Sequence, residues 1–229
     1  MKRNISLFVL CLVIIGLSSC SGKYVRGNSF GLMYEEKPVT VLLFPPINQT
    51  EVPGVEHDLW EAFYMAMCEK GYYAFSTALC YELFSKDSLY YNADSLYEGD
   101  LSRLHAELEV DAALFVKVKS FRLDKTGANI DFECRLRSAK SGRILYSYDK
   151  EVRAFAATFS GGRAFAFGVP MEFFLQQLDA AMSDKLIAVH NCAVQVLVDM
   201  PVGKYSKKRY GKDRNVIVSS PKHEVELRL

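Results

Sequence analysis

Few residues of this sequence have the type and spacing of a catalytic site. Cys68 or Cys80 could act as a nucleophile with His57 as its base only if folding brought them together, and their proximity along one predicted helix favours packing instead. No H-E-x-x-H pair occurs, and no C-x-x-C or related spacing suggests a metal site. The sequence therefore predicts a protein that is not an enzyme and that binds no metal or cofactor. The histidines are His57, His105, His190 and His223.

Two other short motifs also lack an essential part. Ser160 does not have the glycine two residues earlier that a G-x-S-x-G nucleophile elbow requires. The Gly161-Gly162 pair is not followed by Gly-Lys-Ser/Thr, so it is not a phosphate-binding loop. Neither motif supports hydrolysis or nucleotide binding.

Cys20 is the residue whose chemistry the sequence specifies. Lys2 and Arg3 precede an apolar run over 5–16. About 12 residues span roughly 18 Å as a helix, against a bilayer core of about 30 Å. A charged start, a short apolar stretch and small residues before a cleavage site are typical of a secretory signal, here 1–19.

The segment Leu17-Ser18-Ser19-Cys20 resembles the lipobox of bacterial lipoproteins. The resemblance implies cleavage before Cys20, a diacylglycerol on its thiol and an acyl chain such as palmitate on its new amino group. The predicted partner is therefore a membrane, reached through the lipid anchor on Cys20. Ser21 follows the cysteine where an acidic residue could stand, which resembles an outer-membrane address facing the periplasm.

Composition excludes some partners and leaves the cysteines open. Loss of Lys2 and Arg3 with the signal changes the formal net charge from +1 to −1, so no nucleic acid is implied. The mature chain of about 210 residues can bury the core of one domain. The remaining cysteines are either small core residues or disulfide partners, with Cys68 and Cys80 the favoured pair if one forms. These cysteines are Cys68, Cys80, Cys134 and Cys192.

The chain divides into four predicted parts. Residues 1–19 form the signal, 20–37 a lipidated tether rich in small and polar residues, 38–200 an α/β domain and 201–229 a basic tail. The apolar run 39–44 predicts a central strand that ends at two prolines. Pro46, Asn48 and Thr50 follow at its carboxyl end, where ligands bind in open α/β sheets. A rigid turn is the alternative for this loop.

Helical spacing and capping residues place the next elements. The predictions are a helix over 55–70, a strand over 72–76, a helix over 77–84, a polar loop over 85–99 and a helix that begins after Asp100. Three strands over 112–123, 129–139 and 143–153 predict an antiparallel meander. Two helices are predicted over 171–183 and 185–198. Together they predict a single three-layer-like α/β domain, in which helices pack on a mixed sheet that includes the meander.

The middle strand of the meander alternates strictly between apolar and charged residues. Ile130, Phe132, Cys134 and Leu136 predict a buried face, and Asp131, Glu133, Arg135 and Arg137 predict a solvated one. Lys117 and Lys119 are expected on the same solvated face, where they can pair with acidic residues of a neighbouring strand.

The stretch 155–174 interleaves phenylalanines with small residues. Phe159, Phe165 and Phe167 are its candidate contact residues, because a solvated loop does not normally carry so many aromatic side chains. They could pack under their own domain, contact another subunit in a homo-oligomer, or touch another protein or the membrane.

Several short segments in order resemble a family of uncharacterised bacterial lipoproteins that includes a neisserial surface lipoprotein antigen. The resemblance implies an α/β fold similar to the amino-terminal domain of TolB and the periplasmic domain of CsgG, without a known enzymatic activity. The chain departs from the family over 155–174. The segments are Lys37-Pro38, Phe44-Pro45-Pro46-Ile47-Asn48, Gly71-Tyr72-Tyr73, Asp111-Ala112-Ala113-Leu114, Ser141-Gly142-Arg143-Ile144-Leu145-Tyr146 and Gly161-Gly162.

Two functions from different classes fit these observations. The first is a non-catalytic envelope lipoprotein that acts as an accessory or assembly factor by binding other proteins through a sheet edge or the aromatic stretch. The second is a domain that binds a small ligand or glycan, or a cryptic hydrolase, at the loop after the first strand. A deep polar pocket at that loop would favour the second, and an exposed aromatic patch elsewhere would favour the first.

Overall fold

A mixed sheet sets the positions of the other elements. The computed structural model describes residues 24–86, 93–124, 127–155, 180–207 and 210–219. The strands in these ranges are β1 Tyr24–Val25, β2 Thr40–Leu43, β3 Ile47–Asn48, β4 Tyr73–Ala74, β5 Ala112–Asp124, β6 Gly127–Ser138, β7 Ile144–Phe155 and β8 Ile217–Val218. The helices are α1 Arg26–Ser29, α2 Gly31–Glu36, α3 Val55–Lys70, α4 Thr77–Lys86, α5 Ala93–Glu98, α6 Ser102–Leu108 and α7 Ala180–Val196.

The main sheet runs in the order β4-β2-β5-β6-β7, and β3 pairs with β5 beside this path. β2 lies parallel to β4 and β5, whereas β5, β6 and β7 pair antiparallel as a meander. The predicted α/β class, with a mixed sheet and an antiparallel meander, is confirmed. None of the described helices has both the length and the apolar composition to span a bilayer.

Asp111 fixes the parallel pairing at the start of the sheet. Its Oδ2 accepts hydrogen bonds from the backbone N–H groups of Val39 and Thr40 at 2.8 and 2.9 Å. The hydroxyl of Thr40 donates to the same oxygen at 3.0 Å. Because β2 begins at Thr40 and β5 begins next to Asp111, this carboxylate holds the starts of the two strands together.

Helices cover the sheet on both faces. On one face, Phe63 of α3 meets Phe132 of β6 edge-to-face, with ring centroids 5.7 Å apart. On the other face, Phe115 of β5 stacks on Phe44 at 4.7 Å and meets Tyr97 of α5 at 5.7 Å. The apolar residues of β6 are fully buried as the alternation predicts. They are Ile130, Phe132, Cys134 and Leu136.

The charged face of β6 is not solvated along its whole length, which corrects the sequence prediction. Arg137 is 8% exposed. Its Nη1 donates to the carbonyl oxygens of Leu96, Tyr97 and Gly99 at 3.0, 2.9 and 3.0 Å. These carbonyls belong to α5 and its C-terminal end, in the stretch 85–99 that is predicted as a loop. A helix of six residues with mostly polar side chains is too short to show a hydrophobic period.

The predicted break between two helices near residue 184 is also wrong. The sequence predicts helices over 171–183 and 185–198, whereas α7 continues without a break from Ala180 to Val196. Residues 171–179 lie outside the described ranges. The chain has Ser183-Asp184 at the predicted break, and these residues resemble an N-cap, but neither one prevents a helix from continuing.

The two ends of the described chain pack together in a region that we name the terminal clamp, residues 24–36, 198–207 and 210–218. The sequence predicts a tether over 20–37 and a solvated tail over 201–229, whereas β1 pairs antiparallel with β8 and Phe30 and Met33 are buried. The helices α1 and α2 have four and six residues. Segments this short carry no periodic pattern, and their partners lie far away along the chain.

Two glycines allow the tail to approach the main body closely. Gly203 donates from its N–H to the Lys70 carbonyl, and Tyr205 donates to the Gly71 carbonyl, both at 2.9 Å. A Cβ atom on Gly203 would lie 2.3 Å from the Gly71 oxygen. Side chains at either position would therefore separate the tail from the end of α3.

Candidate functional site

The loop after β2 is stabilised by its own polar groups. Asn48 donates from Nδ2 to the Val52 carbonyl at 2.9 Å and to Glu56 Oε2 at 3.0 Å. Its Oδ1 accepts from the Thr50 N–H at 2.9 Å and from the Thr50 hydroxyl at 2.7 Å. The structure thus brings Asn48 and Thr50 together as an Asx turn that joins the loop to the first turn of α3. Pro46 is buried beneath them.

These contacts show how the candidate loop is built, and they leave its polar groups engaged within the chain. A ligand at Asn48 would have to replace hydrogen bonds that already exist. The other predicted site residues, Cys20, Phe159, Phe165 and Phe167, lie outside the described residues.

The cysteines and His57 are not arranged as a nucleophile and base. His57 and Cys68 are both on α3, and eleven residues of helix separate them by about 16 Å. Cys80 is buried, and this burial raises the pKa of its thiol to about 11. A thiol with a raised pKa is a weak nucleophile near neutral pH. Cys68 and Cys80 are both free thiols, so the pair that the sequence favours does not form a disulfide.

Tyr97 is the centre of a charged cluster on the face of the sheet that α5 covers. Its hydroxyl donates to Glu133 Oε1 at 2.7 Å. The Lys117 ammonium lies 3.6 Å and the Arg135 guanidinium carbon 4.6 Å from the centre of its ring. Burial, and then the hydrogen bond to Glu133, raise the pKa of Tyr97. A protonated phenol surrounded by paired charges stabilises the fold and does not act as a base at neutral pH.

The predicted charge pairing between neighbouring strands is confirmed. Lys119 Nζ lies 2.6 Å from Asp149 Oδ1 and 3.8 Å from Glu133 Oε2. Arg122 and Glu151 pair at 3.0 Å near the far end of the meander. Within the described residues, no group of three or more His, Cys, Asp or Glu side chains could hold a metal ion.

A cavity of about 250 Å³ opens at the terminal clamp. Below it, Arg26 donates from Nη1 to Asp213 Oδ2 at 3.3 Å, from Nε to the Asp199 carbonyl at 3.0 Å and from Nη2 to the Val198 carbonyl at 3.0 Å. The Tyr72 hydroxyl donates to the Pro201 carbonyl at 2.8 Å. The cavity lining is mainly aromatic, proline and basic: Met33, Tyr34, Lys37, Pro38, Tyr72, Pro201, Val202, Tyr210, Gly211 and Arg214.

Two buried polar atoms beside this ion pair, Tyr34 Oη and Asp213 Oδ1, have no hydrogen-bond partner among the residues that the structure describes. Burial, and then the negative charge of Asp213, raise the pKa of Tyr34. Arg214 lies over the Tyr34 ring, with its guanidinium carbon 4.5 Å from the ring centre. The local sequence pattern did not predict this region. One signal was present, since Asp213 is the only acidic residue among the basic residues of 204–219.

An exposed aromatic surface lies at one edge of the sheet, on β4. Tyr73 is 52% exposed, and its ring meets that of Phe75 edge-to-face at 5.9 Å. The neighbouring Cys68 and, to a smaller extent, Tyr73 raise the pKa of Tyr64 on α3, and both Tyr64 and Phe75 are partly exposed. We name these three residues the β4 patch. An edge strand and exposed aromatic side chains are features through which proteins bind other proteins.

Comparison with known proteins gives a consistent family. The model of the family described as "Putative lipoprotein GNA1162-like" matches residues 29–204. A protein of Neisseria meningitidis serogroup B described as "Putative lipoprotein NMB1124/NMB1162" is 22% identical over 189 residues, which are 81% of this chain and 86% of that protein.

Solved structures are similar at lower coverage or lower identity. The lipoprotein GNA1162 from Neisseria meningitidis is 22% identical, with 54% of this chain and 88% of that chain covered and a TM-score of 0.45. A PelC dodecamer from Paraburkholderia phytofirmans is 10% identical, with 73% and 89% covered and a TM-score of 0.42.

Proposed function

Because the chain belongs to the GNA1162-like lipoprotein family, we propose that it is a non-catalytic lipoprotein of the cell envelope that acts as an accessory or assembly factor by binding other proteins. The β4 patch carries this proposal. An exposed aromatic patch was the feature expected to distinguish protein binding from ligand binding. The loop after β2, which is the site of the alternative function, has its polar groups engaged within the chain.

Lipidation of Cys20 is the proposed means of attachment. The lipobox-like segment before Cys20 and the family membership both support it. Ser21 supports placement in the outer membrane, on the side that faces the periplasm. Two or more acyl chains hold a protein on a bilayer essentially permanently. Replacing Cys20 by Ala should move the protein from the membrane pellet to the soluble fraction or leave it unprocessed.

Attachment to a membrane would allow a small docking surface such as the β4 patch to bind a partner protein. Tyr73 and its neighbours, burying on the order of 100 Å² of apolar surface, would contribute about 2.5 kcal/mol gross at about 25 cal/mol per Å². Such a contact is weak between two proteins in solution, because association has a large entropic cost. Two proteins that share one membrane meet at a high effective concentration, so a weak contact becomes adequate.

Site-specific photocrosslinking in the native envelope tests this proposal. A photoreactive residue at position 73 should crosslink to another protein, and Tyr73→Ser should lose the protein that co-purifies with the wild type. Tyr81, which is 67% exposed on α4, is the matched control because Tyr81→Ser removes an exposed aromatic side chain of the same type. The proposal fails if position 73 yields no protein crosslink, or if both variants retain the same partners.

A further inference from the structure

Only a short length of chain separates the proposed lipid anchor at Cys20 from the folded domain. Tyr24 is already part of the fold, so only four peptide units separate it from Cys20. At no more than about 3.6 Å per residue, these units span at most about 14 Å. If Cys20 is lipidated as in the proposed function, Tyr24 must lie within that distance of the membrane surface.

Tyr24 cannot move away from the domain without breaking the terminal clamp. β1 pairs with β8, and the next two residues continue the contact: Arg26 N–H donates to the Val216 carbonyl at 2.9 Å and Gly27 N–H to the Arg214 carbonyl at 2.8 Å. Arg26 is itself 7% exposed. The attachment point is therefore a fixed part of the body, and the anchor selects the surface that faces the bilayer.

The exposed residues of β8 and of the segment before it form what we name the terminal surface: Tyr210, Lys212, Arg214 and Ile217. Tyr24 is also exposed, but it is the strand partner of Val218 and projects from the other face of the β1–β8 pair. Ile217, which is 60% exposed, is the direct strand partner of Val25. Arg214 and Tyr210 both line the cavity beside it. The only acidic residue of 204–219 is Asp213, which is 2% exposed and paired with Arg26. The named residues of the terminal surface therefore present basic, aromatic and aliphatic groups, and the partly exposed Asp199, whose Oδ2 accepts the Ser219 N–H at 3.2 Å, lies beside them.

We propose that the terminal surface rests on the anionic phospholipid headgroups of the membrane that carries the anchor, and that it fixes the orientation of the domain. Lysine and arginine side chains are attracted to anionic headgroups. Tyrosine and isoleucine side chains can enter the headgroup and acyl boundary. This proposal rests on the lipid anchor of the proposed function and adds a second contact of defined position and chemistry.

A fluorescence measurement on the full lipidated protein tests the contact. The protein is reconstituted in phosphatidylcholine vesicles, with or without phosphatidylglycerol, that contain a lipid with a spin label on its headgroup. Ile217→Trp places an indole on the terminal surface. Glu151→Trp is the control, because Glu151 lies on β7 of the main sheet, outside the separate β1–β8 pair, and its side chain is 53% exposed. Trp60, the single native tryptophan, is buried and serves as the background.

The expected result is stronger quenching at 217 than at 151, by about twofold or more, in vesicles that contain phosphatidylglycerol. The double change Lys212→Glu and Arg214→Glu, or high salt, should reduce quenching at 217 to the level at 151. The proposal is overturned if the protein floats with the vesicles but 217 is quenched no more than 151, or if phosphatidylglycerol has no effect. If the protein does not float at all, the lipid anchor fails as well, and flotation distinguishes the two failures.

Discussion

In the meander, β6 directs its apolar side chains into the core, whereas the terminal clamp closes on an ion pair between Arg26 and Asp213. Cys134 on β6 is 0% exposed and packs among other apolar groups. Arg26 and Asp213 are 7% and 2% exposed, and they depend on each other and on a few carbonyl groups for compensation. The meander is therefore stabilised by many non-directional apolar contacts, whereas the terminal clamp depends on a few specific polar contacts.

This difference predicts that the two regions respond to different kinds of substitution. Apolar burial is non-directional, so the meander tolerates conservative apolar changes and fails when a charge is introduced. A region that depends on a buried ion pair loses stability when one partner is removed, because the remaining charge is then buried without compensation. The predictions below test this contrast, from the largest expected effect to the smallest.

Cys134→Asp should lower the free energy of unfolding by about 5 kcal/mol, because a carboxylate would be buried without a partner. Urea unfolding measures this change. The matched control is Glu151→Gln on the opposite face, which should stay within about 0.5 kcal/mol because its ion pair with Arg122 is solvent-exposed and contributes little. Glu133 is the nearer neighbour, but it accepts the hydrogen bond from Tyr97 and cannot serve as an inert control. Equal losses at 134 and 151 would contradict the strand register.

Arg26→Met should lower the free energy of unfolding by about 4 kcal/mol, because Asp213 would remain buried and charged without its partner. Adding Asp213→Leu to this variant should restore a large part of the loss, since the uncompensated carboxylate is then gone. A double-mutant cycle by denaturant unfolding measures the coupling. Simple additivity of the two single changes would show that the ion pair does not hold the clamp.

Gly203→Ala should lower the free energy of unfolding by about 2 kcal/mol, because the added Cβ would overlap the Gly71 carbonyl oxygen and displace the tail. Thermal unfolding of the variant measures the effect. Gly31→Ala is the matched control, because no heavy atom lies within 4 Å of a Cβ at that position. A loss at 31 as large as that at 203 would show that close approach is not the cause.

The smallest predicted effect is a dependence on pH at Glu36. Burial acts to raise the pKa of Glu36, but hydrogen bonds from Ser138, Ser141 and Arg143 outweigh it and lower this pKa. A carboxyl group with a lowered pKa in the folded state stabilises the fold above its usual value of 4.5, and that stabilisation is lost as the pH falls. Glu36→Gln should reduce the loss of stability between neutral and acidic pH. An unchanged pH profile in urea unfolding would refute the assignment.

The elements that could be predicted from the sequence are those whose pattern repeats within a few residues. The helix Val55–Lys70 has the bounds predicted from its apolar spacing and from the glycine that follows it, because Gly71 has φ of +92° and ends the helix in a left-handed conformation. The alternation along β6 likewise identified its buried face. In both cases the residues of the element itself were sufficient to predict its structure.

The terminal clamp could not be predicted in this way. Arg26 and Asp213 are 187 residues apart, and α1 and α2 are too short for any period. The candidate loop shows a similar limit, because the position of Asn48 shortly after β2 was predictable, but its place in β3 and its hydrogen bonds to Glu56 and Thr50 were not. The β4 patch requires knowledge of which strand lies at the edge of the sheet, and strand order is not encoded by periodicity.

If the chain is exported and Cys20 is lipidated as proposed, the pairing of β1 with β8 also sets an order of events during export. A chain that crosses the inner membrane from its N-terminus presents Tyr24 long before Ile217 emerges, so β1 has no partner until nearly the whole domain has been delivered. We expect the first segment to remain extended and accessible to the enzymes that process Cys20 during that interval. A translocation intermediate arrested before residue 200 should therefore be cut by protease near Tyr24, whereas the completed domain should resist cleavage there.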